Sequence, residues 1–342
     1  MLTLASISSA IRSVITTWIN DSSDAQIRSA LEAPRHSGPI FARLVCAQLQ
    51  TSTELVADVF RSGAPYIHLS NVFDTDELNK TPEGFYPVPD SKCTFTARAS
   101  TIAATAIAGM ETVSYRSEND GELFVNLVVI PGAGIISEKS QKDMKGHTDA
   151  VSFPFKVQKN IDEARSISPS PDYVCLTGLR NPNNVPTTVL PLNIILEKLS
   201  TDVIQELKKP QFVIRSQTTF IPGMKKILGG EVIIDGGAIL EDFGNETWVR
   251  FSHSNVMFDG PDDETENTAL IKFKEACRSS FQDVVVAPGD IVLINNHLAL
   301  HGRGVVGPTH GDRSRWLLRS YSLNTHGIDE KNRYGSSSVL FP

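Results

Sequence analysis

The apolar positions in the first hundred residues follow the spacing of amphipathic helices. In residues 1–21 they recur every three or four positions, which places them on one face of a helix. The same spacing in residues 42–63 predicts a helix that ends at Gly63, because glycine commonly terminates helices. The small-residue segment 100–110 predicts a further helix, and residues 64–72 a short strand. This part of the chain is therefore expected to be mainly helical.

After about residue 112 the pattern changes to short strands rich in Val, Ile and Leu, divided by Gly, Pro or Asn. The predicted strands are LFVNLVVIP, DYVCLTGL, TTVLPL, QFVIRSQ, EVIID, WVRFSHSNVMF, DVVVAPGDIVLIN and RWLLRSYSL. Two helical inserts, residues 192–209 and 266–277, interrupt them. Because the strands do not alternate with helices as βαβ units do, the pattern favours a sandwich or a barrel-like jelly roll over a Rossmann sheet.

The composition indicates a folded, enzyme-sized protein. Of the 342 residues, 40% are hydrophobic and 21% are charged, which suits one large domain or two ordinary ones. The net charge of −7 argues against binding to nucleic-acid phosphates, and no apolar run is long enough to predict a transmembrane helix. The four cysteines form no CxxC pair, so we expect no disulfide framework and a reducing, cytoplasmic location.

Two segments carry residues that could bind a metal. In GHTDAVSFPF, His147 and Asp149 are two positions apart, and such residues point to the same face of a strand. In APGDIVLINNHLALHGRG, a tight turn and a buried strand lead to His297 and His301. Two histidines and one carboxylate form the facial triad of non-haem Fe(II) oxygenases, which leaves metal positions open for a co-substrate and O2. The spacing alone leaves both histidines as candidates for the third ligand.

A cationic side chain would be needed to bind the co-substrate of such a site. 2-Oxoglutarate carries a second carboxylate, and the planar arginine side chain can hold a carboxylate with two hydrogen bonds. The segment GDRSRWLLRSYSL offers Arg313, Arg315 and Arg319.

In combination, the segments HTD, GDIVLINNHLALHGRG and RSRWLLRSY resemble the clavaminate synthase-like branch of the Fe(II)/2-oxoglutarate oxygenases. That branch includes hydroxylases of arginine and asparagine and is related to the taurine dioxygenase (TauD-type) group. The closing motif of the family places Gly-Asp, an apolar strand and Asn before a ligand His, with Arg two residues after it. This order selects His301 over His297. The resemblance covers roughly residues 110–325.

The resemblance implies roles for individual residues. The catalytic metal ligands would be His147, Asp149 and His301. The amino-acid hydroxylases with the most similar sequence pattern usually have Glu where this chain has Asp149. The family places an arginine that binds 2-oxoglutarate fourteen residues after the ligand His, which is Arg315 here. A threonine assists that arginine, and of the two neighbouring threonines in NNVPTTVLPL we expect Thr188 to do so.

The resemblance also implies a substrate site. The family has a substrate-facing arginine four residues after the co-substrate arginine, which is Arg319, and a serine ten residues before the first ligand His, which is Ser137. Where arginine hydroxylases carry acidic residues, this chain has Ser252 and Ser254. A guanidinium group would be poorly compensated there, so we expect a substrate with a neutral side chain.

The fold class expected is mainly β, with a double-stranded β-helix (jelly-roll) core and flanking helices in a single domain, 1–342. Residues 1–110 would be the helical part and 111–325 the core, with a lid insert near 255–280 that includes the acidic segment 259–267.

The implied activity is an Fe(II)- and 2-oxoglutarate-dependent dioxygenase that hydroxylates an unactivated C–H bond with O2. Its substrate would be a free amino acid or a small derivative, such as a cyclic dipeptide, in specialised metabolism that includes antibiotic biosynthesis. Desaturation or epoxidation could replace hydroxylation, and the oligomeric state is not indicated.

Two other functions remain open at this point. One is a jelly-roll metalloenzyme that does not use 2-oxoglutarate, such as an isomerase or a thiol dioxygenase. Those sites usually have a third histidine and lack the arginine anchor, so Arg315 distinguishes them. The other is a non-catalytic jelly roll that binds a small molecule, against which an intact ligand triad argues.

Overall fold

The computed structural model describes residues 2–60, 63–158, 167–260, 267–335 and 337–342. The helices in these residues are α1 Leu4–Asp21, α2 Asp24–Glu32, α3 Pro34–Leu49, α4 Thr53–Phe60, α5 Lys92–Ile107, α6 Ile135–Gln141, α7 Leu192–Leu196, α8 Thr201–Leu207, α9 Ile221–Leu228 and α10 Thr268–Arg278. The strands are β1 Tyr66–Leu69, β2 Glu111–Tyr115, β3 Val125–Val128, β4 Met144–His147, β5 Tyr173–Arg180, β6 Thr187–Pro191, β7 Phe212–Arg215, β8 Ile233–Gly237, β9 Leu240–Phe243, β10 Glu246–Val249, β11 Val256–Phe258, β12 Gln282–Val284, β13 Ile291–Asn295, β14 Ala299–Arg303, β15 Trp316–Leu323 and β16 Val339–Leu340.

The predicted helices form, but several of their boundaries differ from the prediction. The helix predicted over 100–110 is α5, which begins at Lys92 and ends at Ile107, and α3 begins at Pro34, before the predicted start at residue 42. The segment 42–63 is not one helix, because Gln50 adopts a left-handed conformation (φ +51°) that ends α3, and Ser52 then caps α4. The insert 192–209 is likewise two short helices, because the Ser200 side chain accepts a hydrogen bond at the start of α8. Each of these two segments is thus divided into two helices by a local cap, although its apolar spacing continues through both helices.

Two antiparallel sheets face each other and form the jelly roll. The larger has the order β1-β13-β5-β15-β2-β16, with β3 also paired to β15; the smaller has the order β12-β6-β14-β4. Among the described strands of these two sheets, only β16 and β2 pair in a parallel orientation. The space between the sheets is filled by a hydrophobic cluster that comprises Leu176, Val189, Val284, Val286, Val292, Ile294, Ala299 and Leu317. The expected jelly-roll fold class is confirmed.

Helices cover the outer face of each sheet. The N-terminal helices pack on the larger sheet through a core that includes Trp316 and Leu318 of β15. The chain between β6 and β12 packs on the smaller sheet through Leu190 and Leu300. Much of the acidic segment that we expected to act as a lid, residues 261–266, lies outside the described residues. Within the described residues, no helix is long and apolar enough to span a bilayer.

Candidate active site

The three expected metal ligands come together at one end of the smaller sheet. Strands β4 and β14 are antiparallel neighbours, and their register places His147 directly opposite His301, with ring centroids 4.4 Å apart. Asp149 follows two residues after His147. Each of the three offers one ligand atom, and these atoms all lie within 4.8 Å of one another. In the described part of the chain this is the only such group of histidine, cysteine or acidic residues.

The protonation of the cluster suits a divalent cation. His147 Nδ1 lies 3.0 Å from the Lys145 carbonyl oxygen, so Nδ1 carries the proton and the Nε2 lone pair faces the cluster. Burial raises the pKa of Asp149, but the neighbouring His147 and His301 outweigh it and hold that pKa well below the usual range. Burial and the neighbouring His147 lower the pKa of His301, whereas for His147 the effect of burial is outweighed by Asp149, which raises its pKa. One carboxylate and two imidazoles, of which Asp149 and His301 are buried and His147 is half-buried, fit the ligand set of a non-haem Fe(II) site.

His297 lies outside this cluster. Its ring stacks on Trp248, with centroids 4.2 Å apart and planes at 15°, and it contacts the Phe155 ring edge-on. Burial, with a smaller contribution from Arg250, lowers the pKa of His297 to about 3. It is therefore a neutral histidine packed among aromatic rings, and the structure brings His301 to the ligand position.

Arg315 is a buried cation that has no partner in the part of the chain that the structure describes. Trp316 and Leu318 point to the N-terminal helices, whereas Leu317 points between the sheets, so alternation along the strand places Arg315 and Arg319 on the inner side. Arg315 is 5% exposed, and among the described residues no hydrogen bond or carboxylate partner is found for it. Burial, with a contribution from Arg303, lowers its pKa to about 9, so it remains charged at neutral pH. A buried guanidinium of this kind fits the carboxylate of a ligand.

The structure corrects the expected role of Thr188. Strand register pairs Thr188 with Gly302 and the buried Thr187 with Arg303. Gly302 follows His301 directly, so it belongs to the opposite face of β14, and a Cβ atom there would lie 2.8 Å from Thr188 Oγ1. Thr188 therefore points away from the metal ligands. Thr187 is the threonine on the inner side.

Arg319 is held by a carboxylate that the sequence did not reveal. Its two terminal nitrogens donate to Glu118 Oε1 (3.1 Å) and Oε2 (2.7 Å), and Tyr321 donates its hydroxyl to the same carboxylate. Arg319 also lies 4.0 Å from Asp149 Oδ2. Burial opposes the charge of Arg319, but Glu118 outweighs it and raises the pKa. Glu118 is only 3% exposed although it comes from the polar segment RSENDGEL, whose composition is typical of a surface turn.

The three serines expected at the substrate site occupy different environments. Ser252 forms an isolated bridge with His147, which places it beside the metal ligands, and its hydroxyl donates to Asn255 Oδ1. Ser254 is exposed. Ser137 is buried on α6, and its hydroxyl is directed to the carbonyl oxygens of the preceding loop at 2.8 and 2.9 Å. Of these serines, Ser252 is therefore the one that borders the metal cluster.

The jelly roll and the His-Asp-His cluster are the fold and the ligand set that are typical of non-haem iron oxygenases. Among solved structures, an asparagine oxygenase in complex with Fe(II), 3-hydroxyasparagine and succinate superposes with a TM-score of 0.74 at 17% identity, over 98% of this chain and 97% of that one. The non-haem iron oxygenase OrfP in complex with Fe and alpha-ketoglutaric acid gives a TM-score of 0.72 at 19% identity, over 98% and 97% of the two chains. These matches establish the fold.

Sequence comparison points in the same direction. The L-lysine 3-hydroxylase of Catenulispora acidiphila is 26% identical over 215 residues, which is 61% of this chain and 54% of that protein. The enduracididine beta-hydroxylase of Streptomyces hygroscopicus is 24% identical over 272 residues, 72% of each protein. The chain thus spans about half the length of the lysine hydroxylase, and no family model matches it. The comparisons confirm the resemblance to the clavaminate synthase-like type of Fe(II)/2-oxoglutarate oxygenase.

Proposed function

We propose that the protein is an Fe(II)- and 2-oxoglutarate-dependent dioxygenase that hydroxylates a free amino acid or a small amino-acid derivative in specialised metabolism. The observation that carries this proposal is the cluster of His147, Asp149 and His301, together with the buried Arg315, which has no partner among the described residues and lies on the inner side of the same jelly roll. Iron(II) bound by the three side chains would supply the oxidative chemistry together with 2-oxoglutarate and O2. Arg315 and Thr187 would hold the distal carboxylate of 2-oxoglutarate.

The pair formed by Arg319 and Glu118 supports an amino acid as the substrate. A free amino acid carries a carboxylate and an ammonium group on one carbon. Close to Asp149, this pair offers a half-buried cation for the carboxylate and a buried anion for the ammonium. The similar proteins named above include hydroxylases of lysine and enduracididine and an oxygenase of asparagine, which are all amino acids.

For the side chain of the substrate, we propose that it is neutral. Ser252 borders the cluster, and neither it nor Ser254 provides a carboxylate that could compensate a guanidinium or ammonium group. This differs from the lysine hydroxylase and from OrfP, which was crystallised with hydroxylated arginine.

The direct test is a substrate screen with Fe(II), 2-oxoglutarate and O2. We expect at least one neutral amino acid or cyclic dipeptide to gain one oxygen atom by mass spectrometry, with matching formation of succinate. If arginine or lysine were the best substrate, the proposed side-chain preference would be wrong. If turnover occurred without 2-oxoglutarate, the site would instead be that of a jelly-roll metalloenzyme with other chemistry.

Replacing Arg319 with lysine should weaken substrate binding. Lysine keeps the charge but cannot form the paired hydrogen bonds, and part of the Glu118 carboxylate is left without a partner. A loss of about 2 kcal/mol corresponds to roughly a 30-fold higher substrate KM. Arg313→Lys, an exposed position of the same segment, is the control. An unchanged substrate KM in Arg319→Lys would remove this residue from the substrate site.

The two threonines of β6 give a matched pair for the co-substrate. Valine has nearly the shape of threonine but lacks the hydroxyl, so Thr187→Val should lose one hydrogen bond to 2-oxoglutarate. We expect the KM for 2-oxoglutarate to rise about 2- to 10-fold, in line with about 0.5–1.5 kcal/mol. Thr188→Val should leave this KM unchanged, because that side chain points away from the ligands. If instead Thr188→Val raised the KM for 2-oxoglutarate and Thr187→Val did not, Thr188 would be the residue that contacts 2-oxoglutarate.

A further inference from the structure

Gln217 contacts the metal-ligand segment with both ends of its side-chain amide. It lies between β7 and α9, in a part of the chain that carries no recognised motif. Its Nε2 group lies 3.2 Å from Asp149 Oδ1 and 3.2 Å from the carbonyl oxygen of Thr148, and it can donate to both. Its Oε1 atom accepts the N–H of Ala150 at 2.8 Å. One side chain therefore binds the ligand carboxylate and the backbone on either side of it.

The backbone at this point needs such support. Ala150 has a φ of +52°, in the left-handed region that residues with a Cβ atom seldom adopt. Its N–H is held by Gln217, and Phe153 donates to its carbonyl oxygen. The turn after β4 thereby directs the Asp149 side chain back toward His147 and His301.

The side-chain amide of a second residue, Asn296, binds the backbone of Asp149. Asn296 Oδ1 accepts the N–H of Asp149 at 2.9 Å, and Asn296 Nδ2 donates to the Asp149 carbonyl oxygen at 3.0 Å. Asn296 thus fixes only the backbone of Asp149. In the described residues, Gln217 is the neutral donor that reaches the carboxylate itself.

The segment that carries Gln217 is itself anchored. The Ser216 hydroxyl donates to the Val232 carbonyl oxygen at 2.7 Å and lies 2.8 Å from the Ser152 hydroxyl. Asn255 Nδ2 donates to the Ser216 carbonyl oxygen at 2.8 Å. Gln217 therefore projects from a held backbone, so its amide can restrain the carboxylate that it contacts.

We propose that Gln217 is a positioning residue that fixes the rotation of the Asp149 carboxylate and so presents one of its oxygen atoms to the metal. The amide N–H donates to Oδ1, which also lies 3.4 Å from His147 Nε2, whereas Oδ2 lies 3.6 Å from His301 Nε2 and receives no hydrogen bond from Gln217. Because the Gln217 amide is neutral, it restrains the Asp149 carboxylate without adding charge to the site. The inference rests on the proposed function, because it assigns Gln217 a role toward the iron that this function requires.

The test compares Gln217→Glu and Gln217→Met with the wild type by titration of the metal-free protein with Co(II). Glutamate keeps the acceptor for Ala150 but replaces the donor with an oxygen that repels Asp149, and methionine keeps the length but loses both polar contacts. We expect the dissociation constant for Co(II) to rise about 10- to 100-fold in both variants. We also expect a changed absorption spectrum of the bound cobalt, which reports the ligand geometry. Gln205→Glu, at an exposed position of α8, is the matched control and should behave like the wild type.

The outcomes separate a positioning role from a structural one. Thermal unfolding of the metal-free variants is measured in parallel, and a lower melting temperature with unchanged cobalt affinity and spectrum would overturn the proposal. If Gln217→Glu did not fold, Gln217→Met would decide alone, because an apolar side chain of this length introduces no repulsion. A wild-type protein that bound no Co(II) would instead overturn the proposed function and this inference with it.

Discussion

His301→Ala should lose bound iron and all turnover, whereas His297→Ala should keep its iron. His301 supplies one of only three side-chain ligands, and two ligands on β4 and its turn cannot hold a divalent ion against water and buffer. His297 lies among aromatic rings outside the cluster, where its replacement removes the stacking contact with Trp248. We expect that loss to lower the free energy of unfolding by about 1–3 kcal/mol without changing the metal content.

The measurement is the iron content after anaerobic reconstitution and desalting, taken together with the melting temperature of each variant. His147→Ala and Asp149→Ala should match His301→Ala, because the three side chains act as one set of ligands. The assignment would be wrong if His297→Ala lost the metal while His301→Ala retained it.

The clustering of His147, Asp149 and His301 could be predicted because its signals are local. His147 and Asp149 are two residues apart, and the segment around His301 carries a complete sequence motif, so neither choice required knowledge of how distant strands pair. The inner direction of Arg315 and Arg319 also follows from simple alternation along one strand, which the register of β15 against β3 preserves.

The choice between the two threonines depended on something that the sequence does not contain. A shift of one residue in a strand moves a side chain to the other face. Only the pairing of β6 with β14 shows that Thr187, and not Thr188, shares the face of His301. The resemblance located the strand, but the residue within it required the register.

The sequence did not predict that Glu118 and Gln217 belong to the site, and the reason is a different one. Glu118 pairs with an arginine 201 positions further along the chain, and Gln217 reaches a carboxylate 68 positions before it. Both come from polar segments between strands, where a charged or amide side chain is normally exposed to solvent. Such residues become visible only when the fold brings the segments together.

Arg315→Met should separate the cost of the buried charge from its use in binding. Without ligand, the wild type keeps a guanidinium away from water and without a carboxylate partner among the described residues, which costs free energy of folding. Because burial lowers its pKa to about 9 in the folded protein, well below the value in the unfolded chain, this cost is present in full below about pH 9 and decreases above it. At neutral pH we therefore expect the ligand-free variant to melt at the same temperature as the wild type or higher.

2-Oxoglutarate should reverse the order of the two melting temperatures, so that the wild type melts above Arg315→Met. At a concentration 100 times its dissociation constant, a ligand that binds only the folded state stabilises it by about 2.7 kcal/mol, so the wild type with a redox-inert metal should melt several degrees higher. Arg315→Met should show at most about a third of this stabilisation and a KM for 2-oxoglutarate raised roughly 30- to 5,000-fold, since about 2–5 kcal/mol of binding is lost. Arg313→Met, at an exposed position two residues earlier, should respond to 2-oxoglutarate like the wild type. A stabilising response to 2-oxoglutarate in Arg315→Met equal to that of the wild type would show that another residue holds the distal carboxylate, because methionine has neither the charge nor the hydrogen-bond donors of arginine.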